Sequence, residues 1–154
     1  MRSAVPSVFR GPDAAIWTEP YRILFPFGLL MGLHGIGHWM AFGWGWMESY
    51  PIAVHAVVQT RLFMGAYISG FLMTAVPRFS GTGSAKRSEV LIIVALLAGL
   101  YLALELDAWK WVVLLQALWW SSLARFIVVR FATRAPGAPA PPVEFAWLPF
   151  AFVL

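Results

Sequence analysis

At 154 residues, 60% hydrophobic and 12% charged, with a mean hydropathy of +0.74, the chain is more apolar than soluble domains, in which about 45 to 50% is usual. Its basic excess, 11 Lys+Arg against 7 Asp+Glu, falls in clusters between apolar runs, which is the pattern of membrane topology and not of a nucleic-acid-binding surface. Without cysteine, disulfides, thiolate metal sites and Cys nucleophiles are excluded, and any metal must be held by His, Met, carboxylate or backbone oxygen.

The expected fold is all-α, a polytopic transmembrane helix bundle with four full spans and the start of a fifth. Residues 1–22 read as a polar entry segment, with prolines and scattered charges but no cleavable signal pattern. The bundle occupies 23–130. Its first span, 23–46, is long enough at ~1.5 Å per residue to cross the ~30 Å hydrocarbon layer. Pro26 is expected in its first turn, and Trp39, Trp44 and Trp46 crowd the far end as an interfacial belt. The second span, 52–76, is expected to stop at Pro77 and Arg78. A Gly- and Ser-rich loop carrying Arg78, Lys86 and Arg87 leads to a third span, 90–106, whose exit holds Glu105 and Asp107. The fourth, 109–129, ends among Arg125, Arg130 and Arg134.

Residues 131–144 read as a Pro-rich cytoplasmic linker. Residues 145–154 begin like a fifth span and give about half of the ~20 residues needed to cross, so the chain is expected to be the N-terminal portion of a longer membrane protein. The alternative is a short re-entrant or interfacial tail. Arg and Lys gather before span one, in the loop after span two and after span four, whereas the two short turns hold only Lys110. The positive-inside rule therefore places the N-terminus in the cytoplasm and His55 near the outer surface.

All three histidines lie in the first two spans. His34 and His38, four apart, share one helix face, with Met31 a turn below. Imidazole and thioether suit haem iron or copper and not hard ions such as Mg²⁺. Gly28, Gly32 and Gly35 line the adjacent face, where a neighbouring helix can approach closely. In span two the stripe His55, Gln59, Leu62, Ala66, Ser69 and Met73 is expected to point into the bundle, with His55 within ~10 Å of the depth of His38. Against ligation stands a plainer role, since membrane histidines also serve as interhelical hydrogen-bond donors worth roughly 0.6 kcal/mol.

Arg61 sits near mid-membrane, where an arginine costs about 2.5 to 3.5 kcal/mol on insertion scales and calls for an anionic or carbonyl partner. A cofactor carboxylate, an acid elsewhere or backbone carbonyls would serve, and snorkelling is the alternative. On an ideal helix Arg61 lies about 120° from His55, so the two are not expected to face one point. Trp119 and Trp120 are expected to pack inside the bundle. No phosphate-binding loop, Ser-His-acid order or paired catalytic carboxylates are legible.

His55-Ala56 followed by Gln59, Phe63 and Gly65, the run GFLMTAVPRFSG from Gly70 to Gly81, and PYRILFPFGLL at the start of span one together resemble the NnrS family. The resemblance implies a bacterial inner-membrane protein with many spans that binds haem and copper and is linked to the response to nitric oxide and nitrosative stress. Many members carry a His-Ala-His-Glu cluster where this chain has His55-Ala56-Val57-Val58, so only His55 carries over. On this reading His34, His38 and His55 are candidate cofactor and metal ligands, Met31 a further metal ligand, and Arg61 a partner for a cofactor carboxylate. The expected partners are the bilayer, nitric oxide or a nitrosyl species, and further copies or spans, with no nucleic acid. Two alternatives from other classes are a cofactor-free structural or assembly subunit, in which His and Arg join helices, and a small-solute transporter with Arg61 in its path.

Overall fold

The computed structural model describes residues 16–140. Within them four helices are long and apolar enough to cross a membrane: α1 (Tyr21–Gly43), α2 (Ile52–Ser80), α3 (Arg87–Glu105) and α4 (Trp109–Ala132). The all-α bundle of four spans is thus observed. Residues 145–154, where a fifth span is expected to begin, lie outside the described part. Short connections force an up-and-down arrangement, with α1 against α2, α3 against α4, and α2 joined to α4 across the centre.

Three expectations about helix ends change. α1 starts at Tyr21, so Pro26 lies inside the helix and beyond its first turn. Its missing N–H removes the usual donor for the Arg22 carbonyl. α2 likewise runs through Pro77 to Ser80. The stop is Gly81, whose φ of 64° closes the last turn as its N–H donates to the Pro77 carbonyl. The Thr82 N–H donates to the same carbonyl at 3.0 Å. At the start of α3, the Glu89 carboxylate accepts the Lys86 N–H at 2.7 Å in a capping box. α4 continues to Ala132, so the irregular segment opens at Thr133.

The core is built on the inner face of α2. Leu62, Ala66, Ser69 and Met73 are all buried, together with Leu97 and Leu100 of α3 and Trp119 and Leu123 of α4. Trp119 is fully buried over Gly65, where a Cβ would meet its ring at 2.5 Å. Its indole N–H donates to the Ser69 hydroxyl at 3.0 Å, which satisfies the polar atom that a buried Trp brings with it. Trp120 packs beside it, ring centroids 4.4 Å apart.

The feature that organises α1 against α2 is a π-helical segment, Val58–Phe63, inside α2. An ordinary helix drifts by about 40° at every fourth residue, so side chains four apart soon leave a shared face. The wider π turn, with i→i+5 bonding, takes up that drift. His55, Gln59, Phe63 and Tyr67, each four apart, consequently all reach α1. Tyr67 lies on Gly28, where a Cβ would come within 2.7 Å of its ring; Phe63 lies on Gly32 at 2.9 Å; Gln59 fills the space over Gly35. Gln59 also donates from Nε2 to the Gly32 carbonyl at 3.2 Å. The π turn divides the expected inward stripe: its upper members, His55 and Gln59, face α1, and those from Leu62 onward face the core.

One end of the bundle is basic. Arg22 and Arg78 both pair with Glu19, at 2.6 Å and 2.9 Å, and Arg130 pairs with Glu89 at 2.9 Å. Hydrogen bonds from Arg22 and Tyr21, with the nearby charges of Arg22 and Arg78, hold the Glu19 carboxyl below the ordinary carboxylate range. At the opposite end stand Trp44, Trp46, Glu105, Asp107 and Trp109.

Candidate metal centre

His34 and His38 occupy successive turns of α1, so their rings stack along one face, 4.5 Å apart and edge to face. Across from them α3 ends at Glu105. His34 Nε2 and Glu105 Oε1 are 3.1 Å apart. One donor atom from each of His34, His38 and Glu105 lies within 4.8 Å of the others, close enough for three ligands to converge on one ion after small rotamer changes. The Tyr101 ring, one turn before Glu105, stands edge-on to His34 at 5.3 Å and fixes that imidazole from the α3 side. His38 Nδ1 is buried and has no hydrogen-bond partner among the described residues. A nitrogen left in that state is destabilising unless something uses its lone pair or proton.

Glu105 is the member that sequence reasoning did not place. It is expected, with Asp107, at the exit of the third span. The two helices do not end level: α1 continues for about nine residues past His34, some 14 Å at the helical rise, while α3 stops at Glu105. The taller α1–α2 hairpin therefore rises beside a ledge where the α3–α4 hairpin turns, and the carboxylate meets His34 on that ledge. Helix lengths carried this signal, since the third apolar run is the shortest of the four. Both His34 and Glu105 keep about a third of their side-chain surface exposed, so the group can be reached from outside the bundle.

His55 stands apart from this triplet. Its Nδ1–H donates to the Gly35 carbonyl at 3.0 Å, which leaves Nε2 as the nitrogen carrying the lone pair. The Tyr50 ring lies 5.6 Å from it, and burial raises the Tyr50 hydroxyl above its ordinary value. The expected nearness of His55 to the half of α1 that carries His38 is thus observed, through a backbone carbonyl. Met31 packs against the hydrophobic core. Arg61 is half-buried within the π segment, so the ideal-helix angle that separated it from His55 does not describe it.

Two imidazoles and a carboxylate form a donor set for copper, iron or zinc, because neutral nitrogen ligands favour borderline metals. The proton shared between His34 Nε2 and Glu105 is the one that a bound cation would displace. A haem would need a flat apolar slot beside an axial histidine. Between α1 and α2 that room is taken by Tyr67, Phe63 and Gln59 lying against the glycines. The described residues of that interface leave no slot for a porphyrin.

A family model described as NnrS protein matches residues 15–154. No curated protein and no solved structure matches the chain. The family match covers most of the sequence, and the chain belongs to the NnrS family.

Proposed function

From that membership and the geometry of the ledge, we propose that the protein is a bacterial inner-membrane copper protein acting in the response to nitric oxide, with His34, His38 and Glu105 as its metal ligands. The observation that carries this reading is the convergence of three donor atoms from α1 and α3 within 4.8 Å. A bound copper ion would supply a soft, exchangeable position at which nitric oxide can bind. The chain itself holds His34 in place through Tyr101, orients His55 through the Gly35 carbonyl, and leaves the ledge open for a small neutral molecule. The positive-inside rule puts the basic end, with Arg22, Arg78 and Arg130, in the cytoplasm. The N-terminus is then cytoplasmic and the ledge faces the outer side. Haem, which family resemblance also implies, would require a surface other than the α1–α2 interface.

A second reading rests on the 3.1 Å His34–Glu105 contact alone. As a hydrogen bond or ion pair it joins α1 to α3 without any metal, the role expected in a structural or assembly subunit. The two separate on metal analysis of the protein purified in mild detergent. Copper near stoichiometry, with a nitric-oxide-dependent change in its electron paramagnetic resonance signal, supports the copper reading. Metal-free protein that keeps its helix content after reloading with copper leaves the structural role.

A further inference from the structure

The sequence segment that most strongly carries the family resemblance, TAVPRFSG, is not used by the metal centre; it lies at the opposite, basic end. There its outward side forms a groove of about 420 Å³ with the start of α1, lined by Tyr21, Phe25, Phe71, Thr74, Ala75 and Phe79, with Arg78 at its mouth. We infer that this groove is a binding site for one anionic phospholipid, with an acyl chain lying between α1 and α2 and its phosphate at Arg78 and Arg22.

The groove wall is apolar because its one buried hydroxyl is already used: Thr74 Oγ1 donates to the Gly70 carbonyl at 2.8 Å. Ala75 keeps the floor low, and behind it Gly70 lets α1 approach, since a Cβ there would come within 3.1 Å of Leu24 and Phe25. Phe71 and Phe79, each 57% exposed, stand as rims. On a span that faces lipid, such a furrow takes a chain end-on along the helix direction. The head region is charge-matched. Glu19 binds Arg22 through Nε and Arg78 through one terminal nitrogen, so one carboxylate faces two guanidiniums, each with further N–H groups. The excess positive charge at the level of the headgroups complements a phosphodiester, and Arg offers it a bidentate fork.

The test is lipid retention by the full chain. Protein reconstituted in nanodiscs of equal phosphatidylglycerol and phosphatidylcholine is released into native mass spectrometry, and the lipid that stays bound is counted. We expect phosphatidylglycerol to be retained over phosphatidylcholine by about fivefold, the effect of one cation near an anionic surface. Arg78→Gln should remove that preference, and Ala75→Leu, which fills the groove, should lower retention of both lipids. Lys110→Gln, at the far end, should change neither. Circular dichroism confirms that each variant is folded, and Ala75→Leu keeps the test available should Arg78→Gln fold poorly. Equal retention of the two lipids by the unaltered protein, or unchanged retention in both groove variants, would overturn the assignment. Neither outcome bears on the metal centre.

Discussion

Single side chains at the ledge differ in what their loss should do. His38 has a buried ring nitrogen with no partner among the described residues, so His38→Ala removes a proposed ligand while relieving an unsatisfied polar atom. The expected result is loss of copper with unchanged or slightly raised thermal stability, read by metal analysis and by melting in detergent. Trp119→Phe is the opposite case: it strands the buried Ser69 hydroxyl and should destabilise by ~1 to 3 kcal/mol without altering metal content. His34 and His38 were legible from their spacing, because four residues along a helix bring side chains onto one face. Glu105 was not legible, because its depth depends on how two helices of unequal length align, and no local pattern encodes that. The orientation of His55 toward a backbone carbonyl was hidden for a similar reason, since the acceptor belongs to another helix.

The meeting of α1 and α2 is a matter of helix shape. Glycines at 28, 32 and 35 announced a close approach in the sequence, but the π segment that lets His55, Gln59, Phe63 and Tyr67 meet them has no composition signal. Its wider turn keeps residues four apart on one face. Gly32→Leu would press against Phe63, whose ring lies 2.9 Å from a Cβ at that position, and should destabilise by ~1 to 3 kcal/mol. The prolines misled in the other direction: Pro77 reads as a stop, yet the helix continues to a glycine able to adopt positive φ. At the basic end, the depressed Glu19 carboxyl means that its clasp on Arg22 and Arg78 stabilises the fold above the ordinary carboxylate value of 4.5. That contribution is lost as pH falls through its lower folded-state value. Glu19→Gln should therefore melt earlier than the parent protein near pH 7, and the gap should close on acidification below the ordinary carboxylate range.

For the whole molecule, the proposed orientation rests on charge asymmetry and sets which compartment the proposed metal centre would meet. Because the sequence has no cysteine, single introduced thiols report sidedness cleanly. In intact cells a membrane-impermeant maleimide should label Asp107→Cys on the outer turn and not Thr82→Cys on the basic side; the reverse pattern would invert the topology. Four-span architecture was legible from hydropathy alone, since each apolar run reaches the roughly 17 to 25 residues that a crossing takes. The contact between the outer half of α1 and the end of α3 emerged only from the assembled bundle. That contact is also where the proposed chemistry resides. It is tested most directly by measuring the copper content of the purified protein beside that of Glu105→Gln, with helix content followed in parallel. The account predicts near-stoichiometric copper in the parent protein and its loss in the variant at unchanged helicity. Equal copper in both, or none in either after loading, would contradict a metal centre built on His34, His38 and Glu105.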